Sequence, residues 1–332
     1  MNEQPGLAID LSDVAKTFRG RVRALRGIQM HVRRGEVFGL LGPNGAGKST
    51  LVKVLMTVIR PTRCTGTLLG RPVGDKSSLG RIGYLPEHHR FADYLTGAQV
   101  VDFYGAMSRV PRRERRSRTG ELLEVVGMTA WADKRVRGYS KGMRQRIGIA
   151  QALVNDPELV LLDEPTDGVD PEGRRDIRKI MQGLKDRGKT VFINSHLLSE
   201  LEMVCDRVAI LVQGVVAAQG TLDELTRAEQ RYEIEVEVEG DVGPMPAALA
   251  TGEAVGVEGG TIRVGTAEAS RVQGLIDALR TQGVVIRSVR QHRPSLEDLF
   301  MRAVTDPNTG KVLAPGAAAD PKKSRGERGG GR

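Results

Sequence analysis

The chain has only two cysteines, Cys64 and Cys205, in 332 residues. They are too few and too far apart for a disulfide framework, so a reducing compartment is expected. Aromatic residues make up 4% of the chain, with a single tryptophan, which leaves little of the stacking surface that single-stranded nucleic acid uses. No apolar run approaches the roughly 18 residues that cross a bilayer; the best are short, such as Val208 to Val212. The first residues, with Glu3, Pro5 and Asp10, lack the basic-then-apolar layout of a secretory leader. The expectation is a cytoplasmic protein with no membrane span of its own.

Charge is unbalanced toward the basic side, with a formal net charge of +9, which would suit nucleic acid or an anionic membrane surface. Much of the excess is local. The stretch Arg109 to Arg118 reads as a solvated helix face, and the last residues form a basic tail. With few aromatics interleaved, no nucleic-acid partner is expected.

The length allows about two domains. From Leu7 to Leu225 strands and helices alternate, with strand candidates at 7–11, 37–41, 82–85, 159–162, 191–194 and 208–212. This order predicts an α/β fold on a largely parallel sheet. Between Gln99 and Leu153 the pattern is helical only, suggesting an inserted helical subdomain at about 92–153. Gln213 and Gly214 read as a hairpin turn, and Thr221 with Glu224 as a capping box. A first domain of residues 1–228 is followed by a small α+β domain at 229–304. The second domain opens on the alternating segment Tyr232 to Glu239. Residues 305–332, rich in Gly, Pro, Ala, Lys and Arg, are expected to be disordered.

Three groups of residues carry chemistry. The apolar segment Val37 to Leu41 runs into Gly42, Pro43, Asn44, Gly45, Ala46, Gly47, Lys48, Ser49 and Thr50, and an apolar helix is expected from about Leu51. Glycines at this spacing let successive backbone N–H groups face one concavity, and the following helix adds its positive dipole end. A phosphate-binding loop of this kind uses Lys48 on the β- and γ-phosphates and Ser49 on Mg²⁺. A second apolar strand, Leu159 to Leu162, ends in Asp163 and Glu164. Carboxylates at the end of a buried parallel strand face the ligand crevice. Asp163 is assigned to metal and Glu164 to the attacking water. Third, Tyr139 to Arg146 leads into the helical run Ile147 to Leu153, so that Ser140 and Gly142 stand at a helix N-terminus.

This third segment resembles the signature of the ATP-binding-cassette (ABC) ATPases. Ser140 and Gly142 match the family pattern, while Lys141 and Met143 depart from it in a way familiar from one branch. The resemblance implies a P-loop cassette with a helical subdomain, ATP and Mg²⁺ as ligands, and ATP hydrolysis coupled to transport. It implies that two chains pack head to tail, with Ser140, Lys141, Gly142 and Met143 completing the partner's ATP site. Both half-sites look complete, which favours a homodimer or two competent sites. By the same resemblance Asp167, Gly168 and Asp170 lie in the loop that signals across the dimer, His196 is the γ-phosphate switch histidine, and Phe18 stacks on adenine, although Phe18 could equally be a core residue. Glu87 stands where the family usually has a metal-touching glutamine. The small C-terminal domain, ending near Phe300, is similar to the extension on ATPases of ABC-2-type exporters. A separate transmembrane permease would then be the partner, holding the chain on the inner face of the membrane. The rival reading is a soluble ABC ATPase acting on ribosomes or nucleic acid. His88 and His89 are not expected to hold a metal, since adjacent side chains diverge and no further ligands accompany them.

Overall fold

The computed structural model describes residues 6–20, 22–227, 230–237, 255–258, 260–266, 268–306 and 309–313. The chain divides into two compact units, one reaching Gly220 and taking up the chain again from Arg302, the other spanning Thr221–Met301. The division falls ahead of the boundary at residue 228 expected above.

The first unit opens with β1 (Leu7–Thr17) and β2 (Arg23–Arg33), then β3 (Val37–Leu41) and α1 (Lys48–Leu55). Next come β4 (Arg63–Leu68), the two-residue β5 (Arg71–Pro72) and β6 (Ile82–Leu85). Three helices follow: α2 (Gly97–Met107), α3 (Arg112–Val125) and α4 (Lys141–Ala152). The unit continues through β7 (Leu159–Asp163), α5 (Pro171–Asp186), β8 (Thr190–Asn194), α6 (Leu198–Val204), β9 (Arg207–Val212) and β10 (Val215–Gly220).

Six of these strands form one sheet in the order β10-β9-β3-β8-β7-β6. All pairings in it are parallel except the β9–β10 hairpin. Its central strands are buried along their whole length, as expected where both faces are covered. On one face Phe38, Leu40, Leu159, Leu161 and Phe192 join Leu51, Val52 and Leu55 of α1 in a single core. On the other, α5 buries Ile177, Ile180, Met181 and Leu184.

The strand read at residues 7–11 does not belong to this sheet. It is longer, and it pairs antiparallel with β2 and β4 in a separate sheet of order β2-β1-β4-β5. The helix after the phosphate loop begins at Lys48 and not near Leu51. In the helical region Arg112, Arg113 and Arg116 are exposed, while Arg115 pairs with Asp102 and Arg118 with Glu114.

The second unit holds α7 (Leu222–Thr226), β11 (Arg231–Glu237), β12 (Val255–Glu258), β13 (Thr261–Val264), α8 (Ala269–Thr281), β14 (Val285–His292) and all but the last two residues of α9 (Leu296–Ala303). Its sheet is antiparallel, in the order β12-β13-β11-β14. Ile234, Val236, Ile262 and Val264 pack on Val272, Leu275, Ile276 and Leu279 of α8. The capping box of Thr221 and Glu224 is present, and Gln213 and Gly214 both take positive φ in the β9–β10 turn. Past Val304, part of the tail expected to be disordered is folded: Thr305 bridges Val312, closing a turn around Gly310. The remainder, 314–332, lies outside the described residues.

Candidate functional site

Parallel pairing in the order β3, β8, β7, β6 brings four strand ends to one edge of the sheet, where an α/β fold holds its ligands. The loop from Gly42 to Gly47 leaves β3, Glu164 follows β7, His196 follows β8 and Glu87 follows β6. Residues scattered over more than a hundred positions of sequence thus share one crevice.

The phosphate loop is shaped by close backbone approaches. A Cβ on Gly42 would lie 2.2 Å from the carbonyl oxygen of Leu211, and one on Gly47 2.5 Å from that of Ala24. Gly47 also has φ of +111°, a left-handed conformation that glycine alone adopts freely. Ala46 is buried and accepts from the N–H of Gly214, which seats the loop on the β9–β10 turn. Pro43 is half-buried, Asn44 and Gly45 are exposed, and Ser49 and Thr50 follow in the first turn of α1.

The Lys48 side chain is buried and its Nζ donates to the carbonyl oxygens of Gly42 at 2.6 Å and Pro43 at 3.3 Å. Burial pushes its pKa down, and the charges of Glu164, Asp163 and Glu87 push back. A buried ammonium whose hydrogen bonds go to main-chain carbonyls can exchange them for those of an anion.

Asp163 is buried at the end of β7, where Asn194 Nδ2 donates to its Oδ1. Its pKa is raised, first by burial, against the Asn194 bond and with the help of Glu87 and Glu164. Glu164 is also buried, and its Oε2 lies 2.8 Å from Nδ1 of His196. The same oxygen accepts from Ser195 Oγ at 3.3 Å and from the His196 N–H at 3.4 Å. Three carboxylates, those of Asp163, Glu164 and Glu87, thus act on the one lysine. Among the described residues no group of three or more His, Cys, Asp or Glu is placed to hold a metal ion.

Ser140 caps α4, its Oγ accepting from the Met143 N–H at 3.2 Å, and is itself exposed. Lys141 Nζ meets Asp167 Oδ2 at 2.7 Å, and that bond holds the Asp167 carboxyl below its usual range. Gly168, with φ of +60°, leaves room for the same lysine, because a Cβ there would lie 2.2 Å from its Nζ. Gly142 packs against Val169, while Asp170 caps α5 through the Gly173 N–H at 2.7 Å. Phe18 is 40% exposed, with Lys16 Nζ 5.1 Å from its ring centroid, so it is not a core residue.

Some residues at the site were given no role in the sequence reading. Tyr84, on β6, has its hydroxyl pushed up to about 12 by burial and by Asp163 and Glu87. The ring nitrogens of His89 each stand 3.3 Å from a main-chain carbonyl, Pro86 on one side and Arg144 of α4 on the other. Gln145 reaches from α4 to the main chain of Glu164. For Asn194 and Ser195 the sequence signal was their place between an apolar strand and His196, and for Gln145 its place within the Tyr139 to Arg146 segment; for Tyr84 and His89 it was position in space alone.

The ABC transporter family profile matches residues 25–167, and a second, for the C-terminal domain of DrrA1-3-like ATP-binding proteins, matches 220–304. An ABC transporter ATP-binding protein of Synechocystis is 42% identical over 86% of this chain and 80% of its own length. The chain belongs to the ABC transporter ATP-binding family. Its members are ATPases, and the pairing of cassette and DrrA-like extension places this one in the ABC-2-type exporter branch. A daunorubicin resistance ATP-binding protein, DrrA3 of Streptomyces coeruleorubidus, is 35% identical over 91% of this chain and 98% of its own. Among solved structures, a dimeric post-hydrolysis state of the ABC cassette MJ0796 with ADP and Pi superposes with a TM-score of 0.59. It is 25% identical and covers 64% of this chain and 98% of its own. Among the described residues no helix is long and apolar enough to cross a membrane.

Proposed function

We propose that two copies of this chain close head to tail around two ATP molecules and drive export through a separate membrane permease, which holds the dimer on the inner face of the cell membrane. The observation that carries this reading is the division of the site. Lys48, Asp163, Glu164 and His196 converge in one crevice, while Ser140 at the head of α4 stays exposed and caps only its own helix. A second copy can therefore use it. Relatives named for daunorubicin resistance and for Nod factor export, and the dimeric state of MJ0796, support the same reading.

In this mechanism the loop N–H groups and Lys48 bind the polyphosphate, and Lys48 exchanges the Gly42 carbonyl for phosphate oxygen. Ser49 and Asp163, with Glu87 beside them, would hold Mg²⁺, which neutralises charge on the phosphates. His196 moves from the Glu164 carboxylate to the γ-phosphate. That frees Glu164 to orient water for attack and accept its proton. Ser140 and Gly142 of the second copy donate to the γ-phosphate from the opposite side, and losing that phosphate removes the bridge and reopens the dimer. The segment after Glu87 and the helical subdomain form the permease's docking side, and Asp167, Gly168 and Asp170 relay closure between the copies.

The decisive measurement is Mg²⁺-dependent ATPase activity together with ATP-driven dimerisation for the wild type and Glu164→Gln. The expected result is a loss of turnover of at least about 100-fold, with the variant accumulating as an ATP-bound dimer. Normal hydrolysis by the variant would overturn the assignment of Glu164.

A further inference from the structure

The backbone of Glu164 is in the left-handed region, with φ of 51°. Such a conformation is costly for a side-chain-bearing residue, and more so before a proline, here Pro165. It persists because the residue is held at both ends. Its N–H donates to the Asn194 carbonyl at 2.8 Å, and its own carbonyl accepts from the Asp167 N–H at 3.2 Å. A third tie comes from elsewhere in the fold: Nε2 of Gln145 donates to the same carbonyl at 3.1 Å.

Gln145 is 3% exposed, and its Oε1 has no partner among the described residues. Leucine or methionine would fill this helical position without burying an amide, so the polar group is a cost that the bond to Glu164 offsets. The same helix carries Ser140 at its N-cap, about a turn and a half earlier, and Gly142 in its first turn. One rigid turn of α4 thus offers signature groups to solvent at one end and grips the strained main chain of Glu164 at the other.

We infer that Gln145 is a positioning residue that couples the signature of α4 to the geometry of Glu164 in the same chain. A nucleotide gripped by Ser140 and Gly142 in the neighbouring site would fix α4, and through Gln145 would fix where the Glu164 carboxylate points. Each copy's signature then sets up hydrolysis in its own crevice while binding the nucleotide in the other. This inference rests on the assignment of Glu164 made above.

The test is a double-mutant cycle on the full chain, with single-turnover ATP hydrolysis measured for the wild type, Glu164→Gln, Gln145→Met and the double variant. Methionine keeps the length and volume without the donor; Gln145→Glu, which keeps the shape and sets an acceptor against the carbonyl, is run beside it. The expected result is a 10- to 100-fold fall in turnover for both Gln145 variants, with KM for ATP unchanged in both and the thermal midpoint unchanged in Gln145→Met. In the Glu164→Gln background the Gln145→Met change should have no further effect, because it acts through the group already removed. An equal fold loss in both backgrounds, a raised KM, or wild-type turnover of both Gln145 variants would overturn the inference. The Glu164→Gln single variant alone reports on the parent assignment, so the two failures are distinguishable.

Discussion

At the scale of single residues, the site is built by exclusion as much as by attraction. Gly42 and Gly47 are there because carbonyl oxygens of neighbouring strands occupy the space a side chain would need. Lys48, Asp163 and Glu164 are buried charges, tolerated because each has a partner or awaits one. Charge also acts far from the crevice. Arg81 and Arg34 hold the Glu158 carboxyl down at about 2, the bond from Arg81 contributing most. A depressed carboxylate stabilises the fold above its unfolded value near 4.5 and loses that contribution as pH falls through about 2. Because Glu158 is 41% exposed, solvent screening limits the contribution to about 1 kcal/mol. Glu158→Gln should therefore lower the thermal midpoint at pH 7 by a few degrees and leave it unchanged near pH 2, as read by calorimetry across that range.

At the scale of elements, α4 is the piece on which most connections meet, and Gly148 sets how closely it sits. Alanine at an interior helical glycine ordinarily gains up to about 1 kcal/mol. Here a Cβ would lie 2.6 Å from Leu85 Cδ1 and 3.2 Å from His89 Nε2, and Leu85 is itself fully buried on β6. Gly148→Ala should instead destabilise by about 1–3 kcal/mol through overpacking, seen as a lower denaturation midpoint with unchanged slope. A gain in stability would mean that β6 yields. The elements that escaped the sequence reading have physical reasons for doing so. In β2 the buried residues Ala24 and Leu25 are adjacent, and alternation resumes only at Ile28 after Gly27, where φ is +92°. The register against β1 shifts nearby, between Val14 and Ala15, so no clean period of two exists to be read. In β4 the glycine is required because a Cβ on Gly66 would meet the Asp10 carbonyl at 2.4 Å, yet in sequence it looks like a loop residue.

At the scale of the whole molecule, the proposed reading makes this chain half of a working unit, its exposed Ser140 serving a second copy. If Ser140 serves the opposite copy, Ser140→Arg introduced into Glu164→Gln should abolish the ATP-bound dimer in analytical ultracentrifugation. Binding of one ATP per chain should survive with less than about a threefold change in affinity, since Lys48 and its loop are untouched. Persistence of the dimer would separate closure from the signature. The basic cluster on α3 adds nothing to this argument, because two of its arginines are already paired within the helical region.

The loop from Gly42 to Thr50, the pair Asp163 and Glu164 at the end of β7, and Ser140 at the head of α4 were legible in the amino-acid sequence as residue types at fixed short spacing, whereas His196 was singled out only through the family resemblance. The parallel sheet and the small α+β extension were legible for a similar reason, since their buried strands and amphipathic helices carry local periodicity. Only the tertiary structure decided that β1 joins an antiparallel sheet, that Lys48 rests on the Gly42 carbonyl, and that Glu164 is strained and tied to Ser195, His196 and Gln145. It also decided that Tyr84 and His89 stand beside the chemistry. Those facts depend on which strand ends become neighbours, and hydrogen bonds between residues tens of positions apart leave no period in the chain.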